Sequence, residues 1–156
     1  MIIKRLVIYC GVFLLLSICF TARAEADIHP GIRGGAWFDA SGFFIGGEIL
    51  AKVADRWYFN PNIEYVFGDG ADILAVNFDA HYDLHVKQNM FVWVGGGLAV
   101  IHIDPDAPRL EGDTDPGVNL LMGVGFPFGH GNVFYIQPKA ILSDHSDFSI
   151  GVGVRF

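Results

Sequence analysis

The chain has 156 residues, 52% apolar and 14% aromatic but only 17% charged, which is enough for one domain and too aromatic and too sparsely charged for a disordered segment. Ten Lys and Arg stand against 17 Asp and Glu, a formal charge of −7. Nucleic acid is thereby excluded as a partner, because neutralising phosphates takes clustered bases.

Met1-Ile2-Ile3-Lys4-Arg5 is a basic start, Leu6 to Phe20 is an uncharged apolar run, and Ala22-Arg23-Ala24 is a small-x-small site. Together they form the pattern of a secretory signal peptide. Arg23 stops the run short of the roughly 20 apolar residues a spanning helix needs, so an N-terminal anchor is the weaker reading. Lipidation at Cys19 is weaker still, since Ile18 stands where a small residue is normal. Residues 1–24 are expected to be removed, leaving 25–156 as the folded domain. Both cysteines, Cys10 and Cys19, leave with the leader, so no disulfide, zinc-thiolate site or Cys nucleophile remains. The remaining chain carries a formal charge of −10.

Beyond the leader the apolarity alternates. From Leu74 to Val86 the even positions are Leu, Val, Phe, Ala, Tyr, Leu and Val, while the odd ones include Asn77, Asp79, His81, Asp83 and His85. That period of two is a strand with one oily and one polar face. Reading turn signals between such runs predicts eight strands, at 31–38, 43–53, 57–67, 73–86, 90–103, 117–126, 133–142 and 148–156. Most reach the ~9–11 residues of a tilted transmembrane strand. Short turns at 54–56, 87–89 and 129–132 alternate with connections at 39–42, 68–72, 104–116 and 143–147, as an up-and-down barrel requires. Pro61 and Pro138 fall inside strands, where each removes a ladder donor, so a bulge or early strand end is expected. The register of the fifth strand stays open. One turn length puts Val92, Val94 and His102 inward, the other puts them outward, and Gly95-Gly96-Gly97 has too little side chain to decide.

Alternation alone fits both a soluble barrel, oily inside, and a membrane barrel, oily outside. Charge density decides between them. The oily faces carry no charge, and the opposite faces carry only about one per strand, fewer than a wetted surface normally shows. Arg33, Lys52, Lys139 and Arg155 against Glu48, Glu64, Asp79 and Asp83 balance as buried charges must. The predicted fold is therefore all-β, an eight-stranded antiparallel transmembrane barrel whose interior polar network is Arg33, Glu48, Lys52, Glu64, Asp79, His81, Asp83, His85, Lys139 and Arg155. Arg33 and Glu48 are its expected pair. Trp57, Phe59, Tyr65, Phe67, Tyr82, Phe91, Trp93, Phe126 and Phe134 fall toward strand ends as interfacial girdles do.

Two stretches resemble a known group. Ser149-Ile150-Gly151-Val152-Gly153-Val154-Arg155-Phe156 resembles the carboxy-terminal assembly signal of bacterial outer-membrane barrels, carried by Phe148, Ile150, Val152, Val154 and Phe156. Phe91-Val92-Trp93-Val94-Gly95-Gly96-Gly97-Leu98 is similar to the glycine-rich central strand of the small OmpA/OmpX-like and opacity-type outer-membrane proteins. The resemblance implies a Gram-negative outer membrane, contact with its lipid and lipopolysaccharide, and insertion by the barrel assembly machinery. It departs from adhesive members of that group in its short loops.

An eight-stranded barrel is just wide enough for its own side chains to fill, so a plug is expected rather than a general pore. No cofactor is expected. His81 and His85 lie on one strand face but about 13 Å apart at strand rise, too far to share a metal. Ten acids gather at the end opposite the tight turns, at Asp39, Asp69, Asp72, Asp104, Asp106, Glu111, Asp113, Asp115, Asp144 and Asp147, with Arg109 the lone base. They invite Ca2+ or Mg2+ shared with lipopolysaccharide, but no loop matches a cation motif, and a solvated rim is the simpler reading. Asp144-His145-Ser146-Asp147 with Ser149 invites a lipid A-modifying hydrolase. Adjacent strand residues face opposite ways, so His145 and Ser146 meet only if the chain bends, and no catalytic residue is nominated. The other competing class is a soluble periplasmic carrier of an apolar ligand. The longest connection offers less than the ~800 Å2 of a standard interface, so a structural or surface-interaction barrel, acting as a monomer, is expected.

Overall fold

A computed structural model describes residues 27–84, 89–105 and 112–156. The expected leader, His85 and the loop residues Asp106, Arg109 and Glu111 lie outside the described residues. Eight strands, β1 (Ile28–Trp37), β2 (Gly42–Ala54), β3 (Trp57–Phe67), β4 (Ala71–Leu84), β5 (Phe91–Pro105), β6 (Asp113–Phe128), β7 (Asn132–Leu142) and β8 (Asp147–Arg155), close into one antiparallel barrel. Each pairs with its chain neighbours, and β8 returns to β1 from Gly31↔Arg155 to Trp37↔Ser149. Closure leaves no unpaired edge for hydrocarbon to meet.

The alternation sets which side chains face the lumen. In β4, Ile73, Ala75, Asn77, Asp79 and His81 are buried, while their even-numbered neighbours face out. In β7 and β8, Ile136 and Val152 are 37% and 43% exposed, whereas Lys139 is 1% exposed. The oily face therefore points outward, and a soluble carrier with an oily lumen is not what this chain builds. Ile32, Ile45, Ile63, Leu98, Leu120, Met122 and Ile150 form an exposed apolar belt. Aromatic residues flank it at both ends: Trp57 against Tyr82 (centroids 5.2 Å apart) by the tight turns, Tyr65 against Phe67 (4.9 Å) and Phe38 against Phe148 (5.8 Å) by the loops.

Two expectations change and one open register is fixed. β6 starts at Asp113, four residues before the predicted 117, because β5 runs on to Pro105 and carries its partner with it through Ile103↔Asp113 and Ile101↔Asp115. The acids that read as a loop are thus partly strand. Pro61 and Pro138 cause neither bulge nor strand end. At each, pairing on one side lapses and resumes in unchanged register, Glu48↔Asn62 to Ala51↔Phe59 and Leu121↔Lys139 to Val124↔Ile136. Near Pro61 the Ile49 carbonyl accepts from Asn60 Nδ2 at 3.0 Å instead. The register shift lies between Lys52 and Ala54, beside the turn where Arg56 adopts φ 59°. Finally, β5 takes the register that buries Trp93, Ala99 and Ile101 and exposes Val94 and His102.

That register follows from space. Trp93 pairs with Gly123, and a Cβ on Gly123 would collide with the Trp93 indole. Gly153 makes the same room for Tyr135, and Gly97 for Asp79. Toward the loop end the lumen holds an apolar cluster of Trp37, Phe44, Val66, Ile73, Ala75, Ala99, Ile101 and Ile141.

Candidate functional site

Below that apolar cluster the lumen is polar. Glu64, from β3, is fully buried and accepts Lys139 Nζ on both oxygens, at 2.9 and 3.0 Å. Arg33 Nη2 lies 3.3 Å from the same carboxylate, and Trp37 donates its indole N–H to it at 3.3 Å. Arg33 also reaches Glu48 at 3.5 Å, the pairing expected from sequence. Glu48 is held more closely by Arg155, whose Nε donates at 2.8 Å. β1, β2, β3, β7 and β8 are thus tied across the lumen by five alternating charges.

The sixth buried charge of this layer is Asp79, held by amides: Asn62 Nδ2 at 2.9 Å and Asn119 Nδ2 at 2.7 Å. Asn119 also donates to Asn77, and Asn77 to Asn62. This Asn cluster, 42 residues apart at its widest bond, gave no sequence signal except that each member sits on the polar side of its strand. In this middle layer the buried charges are Arg33, Lys139 and Arg155 against Glu48, Glu64 and Asp79, three of each sign, so the layer is neutral as well as filled.

Toward the tight turns Arg155 stacks on Tyr135 and Trp93, 4.3 and 5.0 Å from their centroids. His81 stacks on Trp93 at 5.3 Å. Trp93 donates to Gln137 Oε1 at 3.1 Å and is 1% exposed. It is therefore interior, not part of the aromatic girdle expected from sequence. An odd-numbered aromatic beside a glycine run was the available clue. Lys52 differs as well. It shares the inward face with Glu48 but lies at the barrel mouth and is exposed, with Asp83 half-buried nearby and 3.7 Å from His81 Nε2. The network thus ends at His81, and Lys52 is wetted by the strand having outrun the lumen.

At the loop end Asp147, grouped by sequence with the acidic rim, is buried. Its carboxylate accepts from the backbone N–H of Phe38, Asp39 and Ala40 at 3.1, 3.0 and 2.9 Å, which pins the β1–β2 turn to β8. Asp115 is buried too and meets His145 Nδ1 at 2.8 Å. That hydrogen bond holds the His145 imidazole above its ordinary pKa. The Ser–His relay suggested by sequence is not assembled: Ser146 Oγ donates to Ser143 O at 2.9 Å within its own turn. Ser149 is buried on the inward face, paired with Lys139. Among the described residues no hydroxyl bonds the His145 imidazole, and no group of three metal-ligating side chains occurs.

No protein-family model matches the chain. A 63-residue stretch, 40% of the chain, is 35% identical to methionine aminopeptidase 2-1 of Aspergillus niger but spans only 13% of that protein. The chain thus covers a small fraction of that relative's length, and no activity is carried over from it. Solved structures are more informative. The N-terminal β-barrel domain of Pseudomonas aeruginosa OprF superposes with a TM-score of 0.72 at 17% identity, over 83% of this chain and 95% of that one. Neisserial surface protein A gives 0.70 at 12% identity, over 85% and 98%.

The fold is that of the small outer-membrane β-barrels. The outer-membrane enzyme PagL shares it more distantly, with a TM-score of 0.53 at 12% identity over 82% of this chain and 98% of that one. In this barrel the six charges of the middle layer are sealed within and the apolar belt is turned outward.

Proposed function

We propose that the protein is exported, loses residues 1–24, and is inserted by the barrel assembly machinery into the bacterial outer membrane, where it serves as a compact monomeric structural or surface-interaction barrel rather than a general porin. The observation that carries this reading is the neutral, side-chain-filled middle of the lumen: Glu64, Lys139, Trp93 and Tyr135 are each no more than 1% exposed. The outward Phe148, Ile150, Val152, Val154 and Phe156 suit recognition by that machinery. Lipopolysaccharide meets the exposed Asp39 and Asp69 end, which acts as a solvated acidic rim.

Two measurements test it. Purified protein added to planar bilayers is expected to give no channel steps, and discrete conductance would show that the plug is not one. Unheated samples in detergent are expected to run ahead of heated ones on a gel, as closed barrels do. PagL being an enzyme, the hydrolase alternative is checked by mass spectrometry of lipid A on overexpression. An unchanged spectrum is expected, and a new deacylated species that disappears in Ser146→Ala would reverse the reading.

A further inference from the structure

Among the described residues, no side chain fills the loop end of the lumen above the apolar cluster. A recess of about 290 Å3 remains there, walled by Trp37, Ala71, Ile73, Ile101 and Ile103 and rimmed by Asp39, Asp69 and Asp147, with His145 at its edge. Its base is apolar. Trp37 commits its N–H to Glu64 in the layer beneath, leaving the ring and the isoleucines to line the space. The rim is anionic. Of the two described histidines at this end, His145 is already paired with Asp115 and His102 lies on the exposed outer side against Thr114. Asp39 and Asp69 form no ion pair with a described residue, and the Asp147 carboxylate is held by backbone N–H groups rather than by a cation.

We propose that this recess binds a small organic cation, an aryl- or alkylammonium whose apolar body rests on Trp37 and the isoleucines while its ammonium lies among Asp39, Asp69 and Asp147. An anion would be repelled by the rim. A neutral apolar ligand would leave the carboxylates unmatched. A bare metal ion would make no use of the apolar walls and would find no three-ligand group among the described residues. The recess sits at the lower limit of small-molecule pockets, about 300 Å3, which restricts the ligand to a single ring or short chain. An indole face also suits an ammonium ligand directly.

The test titrates phenethylammonium into the detergent-solubilised barrel by calorimetry, beside 2-phenylethanol and 3-phenylpropionate as its neutral and anionic counterparts. Saturable binding is expected, with the amine about tenfold tighter than the alcohol, as one to two nearby charges supply, and with no heat from the acid. Asp39→Asn with Asp69→Asn, both on exposed connections, is expected to bring the amine down to the alcohol's affinity. Ala71→Phe, which fills the recess, is expected to abolish both while the unheated gel mobility is kept. If Ala71→Phe does not fold, the charge-neutral double variant decides alone. Equal affinity for amine and alcohol, absence of saturation, or amine binding that survives a folded Ala71→Phe would each overturn the proposal.

Discussion

Glu64 shows how a single buried residue organises this lumen. Its carboxylate takes Lys139, Arg33 and the Trp37 indole together, and its removal would leave Lys139 without a counter-charge in a dry space and Arg33 with only Glu48, which Arg155 already holds. Breaking a buried pair from one side costs about 3–5 kcal/mol. Glu64→Gln is therefore expected to destabilise the barrel by that order in urea unfolding from lipid vesicles, and adding Lys139→Met is expected to restore a large part of it. A double variant no better than the single one would mean that Arg33, not Lys139, is the partner that matters. His145 obeys the opposite logic at the surface. Its folded pKa is raised above the ordinary 6.5 by the hydrogen bond to Asp115, so the folded state binds the proton more tightly than the unfolded one. The stability this contributes is fully present below about 6.5 and is lost as pH rises through the folded value. NMR titration is expected to place the His145 midpoint above that of free histidine, and Asp115→Asn to bring it down. Neither pairing was legible in sequence, since Glu64 and Lys139 lie 75 residues apart and Asp115 and His145 lie 30 apart.

At the scale of the strand, the pattern of side-chain sizes decides what the hydrophobic pattern leaves open. Glycine at 123 and 153 is not loose sequence but the space that Trp93 and Tyr135 occupy. Gly123→Ala pushes a methyl group into the indole and is expected to cost about 1–3 kcal/mol through overpacking. Gly47→Ala meets nothing nearer than the Gly31 carbonyl at 3.9 Å and is expected to stay within about 0.5 kcal/mol. Denaturant midpoints of the two variants side by side check this, and equal losses would remove the packing account of the β5 register. The strand scale is also where the reading of turn residues failed. Asp113, Thr114, Asp115 and Pro116 have the composition of a loop, yet they pair with β5 because the apolar alternation through Ile101 and Ile103 extends that strand. Local composition reports what a segment tolerates when alone, and a long partner overrides it.

For the whole molecule, the decisive matter is which solvent the exposed apolar face meets. Leu120 lies midway along β6 and is 55% exposed. Leu120→Arg is expected to destabilise the barrel in bilayers by about 2–4 kcal/mol, the cost of a guanidinium near the midplane. Measured by refolding into vesicles, a change within about 0.5 kcal/mol would mean that this belt faces water. The structure adds a division of the lumen that strand-by-strand reading cannot give: an apolar cluster under the loops, an ion network at mid-height and an aromatic and histidine layer by the tight turns.

The amino-acid pattern is enough to give the class of object. A period of two, an uncharged outer face and one charge per strand on the inner face leave few solutions besides a lipid-facing barrel, because burying those charges singly or wetting those faces would each cost too much. The direction of Phe78, Ile136 and Asp79 follows from parity once charge density has chosen which face points out. Packing in three dimensions settles which charges meet, that Trp93 belongs inside and Lys52 at the wetted mouth, that Asp147 is a turn clamp, and that a recess remains above Trp37 among the described residues. Those outcomes depend on the vertical stagger of strands around a closed cylinder, which brings together residues distant in the chain, and a local pattern carries no information about stagger.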